Sequence, residues 1–415
     1  MVAAAASRIT VSLPEPAPST SPTDKPSHWL NDEGTLFHNP WPSFKKVGFT
    51  DFVDMIYQVQ LKSPTEPLAE TVAKIPVHKP NFDATTAFPA SQIKATWLGH
   101  ACFLLELPSQ TPGKRGIRLL LDPVFSERCS PSAWVGPKRF TKVPCEVEDL
   151  PEIDAVIISH NHYDHLDVPT LTRLLAHQKS FTPHLFMPLN TAYALPASLQ
   201  QAYDTTQLDW WSSADLTVEG SGKARLSALP SQHFTARGVF DRNKALWASW
   251  GVEQLLDGEG SGKGKVGAKV WFGGDTGYCS VQDGQHSMDP QAPVCPAFKE
   301  IGEKFGGFDL GLIPIGAYDP RGFMSPIHNG PMDAVRMFKD TRCRTGVGIH
   351  WGVWRLTSEP IDEPPKRLAE ARTELGLDET DFGVMEIGET RGFEAGTSGA
   401  VAGGAGGDGV EKVSV

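Results

Sequence analysis

Between Ser159 and Asp167 the chain reads Ser-His-Asn-His-Tyr-Asp-His-Leu-Asp, so four potential metal ligands, His160, His162, Asp164 and His165, fall within six residues. Imidazole and carboxylate at this spacing suit a borderline divalent ion such as zinc. One histidine at such a place is usually polar surface, whereas three histidines and an aspartate interleaved as His-x-His-x-Asp-His point to metal chemistry. The preceding run Asp154-Ala155-Val156-Ile157-Ile158 is apolar and β-branched, as a buried strand is. The cluster therefore sits where a strand ends, which is where open α/β sheets place their chemistry.

This pattern resembles the signature of the metallo-β-lactamase superfamily. The resemblance implies that His160 and His162 bind one metal and that Asp164 and His165 bind a second, with further ligands from distant strand ends. Three such ends are present. His233 follows the strand-like run 224–230 and offers the third ligand of the first metal. Asp275 follows Val270-Trp271-Phe272-Gly273-Gly274 and offers a carboxylate between the two ions. His350 follows Thr345-Gly346-Val347-Gly348-Ile349 and completes the second metal. Each alone is a weak signal; their order and residue types together are specific.

The elements that must hold these residues read as one large α/β body. At 415 residues with 40% hydrophobic content the chain can bury a sizeable core. Its formal charge of −11 supplies no global basic field, which argues against a nucleic-acid partner. No apolar run approaches the ~20 residues of a transmembrane helix, and the first residues lack the pattern of a secretory signal. One early Arg8 followed by Glu15 makes a poor transit peptide. The expected location is intracellular, cytoplasmic or peripheral to a membrane, with mitochondria left open. The six cysteines form no CxxC pair and are expected as reduced thiols, Cys279 being a small buried hydrophobe beside the cluster.

Residues 1–27 are rich in Ala, Ser, Pro and Thr and are expected to be disordered. Residues 28–92 form an aromatic-rich region carrying Trp29, Phe37, Trp41, Phe44, Phe49 and Phe52, which either packs on the body or faces a membrane. The catalytic domain is placed at 93–393 and a disordered Gly/Ala-rich tail at 394–415. Helices are predicted near 168–178, 332–339 and 365–375. Surface insertions are predicted at 258–267 and 282–293, and the segment 280–294 reads as either a lid or an inert loop.

Several further segments resemble one branch, the N-acylphosphatidylethanolamine-hydrolysing phospholipase D family. They include Trp97-Leu98-Gly99-His100-Ala101, Asp122-Pro123-Val124-Phe125-Ser126 and Gly136-Pro137-Lys138-Arg139-Phe140. The strongest is Pro314-Ile315-Gly316-Ala317-Tyr318-Asp319-Pro320-Arg321, followed by His328. The resemblance spans roughly 37–391. It implies an αββα sandwich, two mixed β-sheets flanked by helices, with a dinuclear zinc site at one edge. It also implies cleavage of N-acyl phosphatidylethanolamines to N-acylethanolamine and phosphatidic acid by a metal-bound hydroxide, with a phospholipid substrate, peripheral membrane attachment and a possible homodimer. Asp164 or a water would protonate the leaving group. His328 would contact the substrate phosphate, although Ile327 stands where the family has Gln. Tyr163 would shape the pocket, Asp167 would tune a ligand histidine, and His100 reads as structural support. The alternatives are a binuclear hydrolase of a lactone or smaller phosphodiester, an iron-containing redox enzyme, or a non-catalytic lipid-binding module.

Overall fold

The protein is described here by a computed structural model covering residues 8–14, 25–45, 69–82, 88–178, 182–256, 265–281, 287–289 and 291–396. Its strands are β1 (Ile9–Ser12), β2 (Ile93–Gly99), β3 (Cys102–Glu106), β4 (Arg118–Leu121), β5 (Ala155–Ile157), β6 (His184–Pro188) and β7 (Thr205–Leu208). They continue with β8 (Ser213–Val218), β9 (Gly222–Leu229), β10 (Ser249–Leu256), β11 (Lys265–Phe272), β12 (Phe308–Pro314), β13 (Cys343–Ile349), β14 (Phe382–Gly383) and β15 (Thr390–Phe393). Two sheets result, ordered β15-β2-β3-β4-β5-β6-β7 and β1-β8-β9-β10-β11-β12-β13-β14.

Both sheets follow one plan. Antiparallel pairing runs from β15 to β4 in the first and from β1 to β11 in the second. Parallel pairing then takes over, from β4 to β7 and from β11 to β14. Parallel strands are covered on both faces, and accordingly every residue of β5 and β12 is buried. β8, near the sheet edge, instead alternates buried and half-exposed positions.

Three apolar layers hold the stack together. The central one, between the sheets, contains Trp97, Phe103 and Leu119 from one side and Leu226, Trp250 and Leu312 from the other. A second packs Phe298, Ile301, Val335, Phe338 and Leu368, from helices Ala297–Phe305, Pro331–Asp340 and Glu363–Glu374, beneath the larger sheet. A third packs Leu171, Leu174 and Leu199, from helices Val168–His177 and Ala197–Ala202, beneath the smaller one. This is the αββα sandwich expected, and the helices at 168–178, 332–339 and 365–375 lie within about two residues of their predicted bounds.

The amino terminus departs from expectation. Within the segment 1–27, Ile9–Ser12 forms β1, paired antiparallel with β8. Its alternating Ile9 and Val11 pack against the central core, and Arg8 reaches Asp154 at 3.0 Å. The remainder of that expectation falls mostly outside the described residues. In the aromatic region, Phe37 is wholly buried, Trp29 donates to Asp209, and Trp41 stacks on Trp210 with ring centroids 5.3 Å apart. Phe49 and Phe52 lie outside the described residues, as does most of the tail at 394–415. The predicted insertion at 258–267 ends earlier, because β11 begins at Lys265. No helix among the described residues is long and apolar enough to cross a membrane.

Candidate metal centre

Strand ends from both sheets meet at one edge of the sandwich. β4 delivers Asp122, β5 delivers the segment from Ser159 to His165, and the β2–β3 turn delivers His100. β9, β11 and β13 deliver His233, Asp275 and His350. The two sheets are tied there by hydrogen bonds from the His350 amide to the His100 carbonyl (3.1 Å) and from the Ala248 amide to the Ser159 carbonyl (2.9 Å). His100, Asp122 and His350 have φ of 55°, 37° and 64°, a left-handed backbone that non-glycine residues rarely adopt. Such strain concentrates at functional sites, where the surrounding structure holds it in place. Gly274, at φ 57°, is needed for close approach, since a Cβ there would sit 2.6 Å from that of Ser159.

The residues expected to bind metal converge. Ligand-capable atoms of His160, His162, His233 and Asp275 all lie within 4.8 Å of one another. A second group with the same spacing contains Asp164, His165 and His350, together with His100. Asp275 reaches both groups. Its Oδ2 lies 3.1 Å from His165 Nε2 and 3.8 Å from both His160 Nε2 and His233 Nε2, while its Oδ1 lies 3.0 Å from His350 Nε2. His165 Nε2, His350 Nε2 and Asp275 Oδ1 are buried, and despite these close approaches none of the three is aligned for a hydrogen bond. Buried polar atoms are rarely left so, and this donor set matches what a divalent ion requires.

The outer ring nitrogens are held from behind. His165 Nδ1 meets Asp122 Oδ2 at 2.7 Å, His160 Nδ1 meets Ser159 Oγ at 2.9 Å, and His233 Nδ1 donates to the Ile327 carbonyl at 2.8 Å. These contacts turn each Nε2 inward. Burial pushes His162 down to about 3 and His233 to about 4, so both are neutral and able to donate a lone pair. Burial also opposes charge on Asp164 and Asp275, but the neighbouring His165 keeps both well below the usual carboxylate range. Burial lowers His350 too, but Asp275 and Asp164 outweigh it and raise His350 to about 9. The two carboxylates thus draw positive charge into a buried space.

Other expectations fare variously. His328 lies on the cavity wall, its Nε2 3.9 Å from Asp275 Oδ2, and it lies close enough to Asp275 and His350 to form a third ligand-capable group. Tyr163 lines the same cavity, its hydroxyl donating to the Arg237 carbonyl and its ring stacked under the Arg237 guanidinium at 3.8 Å. Asp167 does not touch a ligand histidine. It accepts instead from the Ser126 amide and hydroxyl and from Thr170, tethering a loop to the start of helix Val168–His177. The carboxylate that orients His165 is Asp122, whose sequence signals were its place at the end of an apolar strand and its segment's resemblance to the family, neither of which tied it to a histidine. His100, expected as support alone, holds Asp164 Oδ2 at 3.0 Å through Nε2 and stands within ligand reach of the second group. Asn39, from the aromatic region, donates to the His233 carbonyl at 2.7 Å.

The cluster opens onto a cavity of about 860 Å3. Asp164, Asp275, His162 and His328 form its polar floor. Leu30, Phe44, Phe234, Phe323, Met324 and Leu356 supply apolar walls, and Arg242 stands in the lining with its guanidinium 4.4 Å from the Phe234 ring. None of the described residues of 280–294 lines this cavity, and the bridge between Cys279 and Val294 closes that loop at its base.

The beta-lactamase superfamily domain matches residues 117–351. The N-acyl-phosphatidylethanolamine-hydrolyzing phospholipase D 1 of Caenorhabditis elegans is 34% identical over 370 residues, covering 86% of this chain and 92% of its own length. The mitochondrial protein of that activity name from Saccharomyces cerevisiae is 30% identical over 301 residues, covering 72% of this chain and 56% of its own. Among solved structures, a metallo hydrolase from Ignicoccus hospitalis is 19% identical with a TM-score of 0.45, covering 73% of this chain and 99% of its own.

Proposed function

The chain belongs to the N-acyl-phosphatidylethanolamine-hydrolysing phospholipase D family of the beta-lactamase superfamily and is a metal-dependent hydrolase; we propose that its substrates are N-acyl phosphatidylethanolamines. Water adds to phosphorus, the bond from phosphorus to the ethanolamine oxygen breaks, and the products are phosphatidic acid and an N-acylethanolamine that leaves with a proton. The observation that carries this reading is the joining of a buried His/Asp cluster to a cavity with apolar walls. A phosphodiester flanked by acyl chains needs both.

In this reading His160, His162 and His233 would hold one zinc ion and Asp164, His165 and His350 the other, with Asp275 available to both groups. Two such ions would lower the pKa of water to near neutral and offset charge on the phosphoryl oxygens. The protein's own groups supply the rest. His328, beside Asp275 in the cavity, donates to a non-bridging phosphate oxygen. Ile327 contributes its carbonyl to His233, so the departure from the family's Gln leaves the metal side intact and alters only the wall that meets the substrate. Asp164, an ionised carboxylate steadied by His100, would take up the proton that the attacking water releases and hand it to the leaving alcohol, a water being the other candidate donor. Arg242 adds a cation for the lipid's phosphate. Acyl chains lie along Phe44, Phe234, Phe323 and Met324.

The test is turnover of N-acyl phosphatidylethanolamine in mixed micelles, followed by mass spectrometry, with Asp275→Asn as control. Both products should appear with the parent protein and vanish with the variant. A protein shown to carry two zinc ions that leaves the lipid intact would refute the substrate and direct the search to lactones and smaller phosphodiesters. Iron in the isolated protein would favour redox chemistry instead.

A further inference from the structure

The hydrolase site leaves one strong cation beside it without a role. Arg237 stands four residues beyond His233, on the loop closed by the Asn243 amide on the Thr235 carbonyl, and it is not among the residues that line the cavity. Its half-buried side chain turns to the His-rich loop instead: Nη1 donates to the Asn161 carbonyl at 2.8 Å and to the Leu166 carbonyl at 3.0 Å. Asn161 and Leu166 are buried, and between them lie His162, Asp164 and His165. Tyr163 closes the contact from the middle of the loop. Its ring lies 3.8 Å from the guanidinium, and its hydroxyl donates back to the Arg237 carbonyl at 3.1 Å.

The loop has little other support at these points. The His165 and Leu166 amides both turn to the His162 carbonyl, at 3.1 and 2.8 Å, so that turn occupies His162 alone. The flanking Asn161 and Leu166 carbonyls are met by Arg237, and buried carbonyls need a donor. Arginine suits the task because its planar group lies flat on an aromatic ring while one nitrogen presents two hydrogens in that plane. Arg237 is itself fixed from behind. Asp241 accepts its amide at 3.0 Å, the Gly238 amide at 2.8 Å and the Tyr193 hydroxyl at 3.2 Å. Tyr193 in turn accepts from the Asn161 side chain at 3.1 Å, which closes a ring of contacts back to the His-rich loop.

We propose that Arg237 is a positioning residue for the metal centre, clamping both ends of the loop that carries His162, Asp164 and His165 and tying it to the segment that carries His233. The loop offers ligands to both metal groups, His162 to one and Asp164 and His165 to the other. Releasing the clamp therefore loosens both ions together, whereas loss of a contact behind a single imidazole loosens one. This rests on the metal-dependent hydrolase reading for the ions themselves and is independent of which substrate is cleaved.

The measurement is zinc titration of the full-length protein against a competing chelator, together with the visible absorption spectrum of the same protein loaded with cobalt(II). Arg237→Ala should weaken both ions by roughly tenfold or more and shift the cobalt bands. Arg237→Lys keeps a donor but loses the flat stack on Tyr163, so its affinity should fall between those of the parent and Arg237→Ala. Tyr163→Phe, which removes only the hydroxyl on the Arg237 carbonyl, should weaken both ions to a smaller extent. Arg173→Ala removes an arginine paired with Glu146 and Glu148 on the surface and should match the parent. With the lipid as substrate, Arg237→Ala should lower kcat without raising KM, because Arg237 lies outside the cavity lining. Parent-like zinc affinity and cobalt spectrum in a folded Arg237→Ala would overturn the proposal, as would weakening of one ion alone or an equal loss in Arg173→Ala. If Arg237→Ala does not fold, parent-like affinity in both Arg237→Lys and Tyr163→Phe would overturn it. A parent that binds two ions and leaves N-acyl phosphatidylethanolamine intact would refute the substrate, and the clamp would still stand or fall on the metal titrations.

Discussion

Asp122→Asn should uncouple the metal site from its support while leaving the shape of the side chain unchanged. The Asp122 carboxylate is fully buried and accepts three hydrogen bonds, from the Ser159 amide at 2.7 Å, the Ser159 hydroxyl at 2.5 Å and His165 Nδ1 at 2.7 Å. Asparagine has one oxygen, so its amide group must face a donor whichever way it turns. Turned toward His165, it drives the ring proton to Nε2, the atom that faces Asp275 and Asp164. Turned the other way, it leaves the Ser159 amide buried without a partner. Each outcome costs about 1–3 kcal/mol. Loss of a carboxylate behind a ligand histidine lowers metal affinity by roughly 10–100-fold. The assay is metal titration against a competing chelator, with stoichiometry by elemental analysis and melting followed in parallel. One of the two ions should bind roughly 10–100-fold more weakly, and activity should recover in excess metal. Parent-like affinity for both ions in a fully folded variant would refute the claim that Asp122 orients His165.

Other expectations follow from the same geometry. Removing bound metal should abolish hydrolysis and lower the melting temperature, since an ion held at ~1,000 times its Kd contributes about 4 kcal/mol to stability; unchanged melting on chelation would contradict the site. His100→Gln should keep two ions per chain and reduce kcat by about tenfold through loss of the Asp164 contact, whereas loss of one ion by elemental analysis would make His100 a ligand. Arg242→Glu should raise KM for the anionic lipid by about tenfold or more with little change in kcat, and an unchanged KM would remove Arg242 from substrate binding. Burial and the neighbouring Glu359 raise Asp319 to about 6 from its ordinary 3.8. The folded chain therefore holds an extra proton between those values, and this group's stabilisation is lost as pH rises through 6. Asp319→Asn should accordingly gain in melting temperature over the parent as pH goes from about 4 to about 6 and hold that gain above 7; a difference that does not change between pH 4 and 6 would count against the shift.

What could be read from the linear chain was the chemistry that requires particular residue types at particular places. His160, His162, Asp164 and His165 are close because they share one loop, and His233, Asp275 and His350 each follow a short run that reads as a strand. Local patterns likewise marked three of the helices, whereas Ala297–Phe305 was not among those expected. What depended on partners far along the chain was decided only by folding. Ile9–Ser12 is a strand because β8, some 200 residues away, offers an edge to pair with. Asp167 lies two residues beyond His165, yet the turn carries it toward Ser126, while Asp122, 43 residues earlier, lies behind the imidazole. The aromatic region could not be assigned from composition, because a tryptophan reads alike whether it faces lipid or packs on Trp210. Ligand identity is a property of single side chains. Their orientation and the cavity above them arise from contacts between segments, which exist only once both sheets have closed on each other.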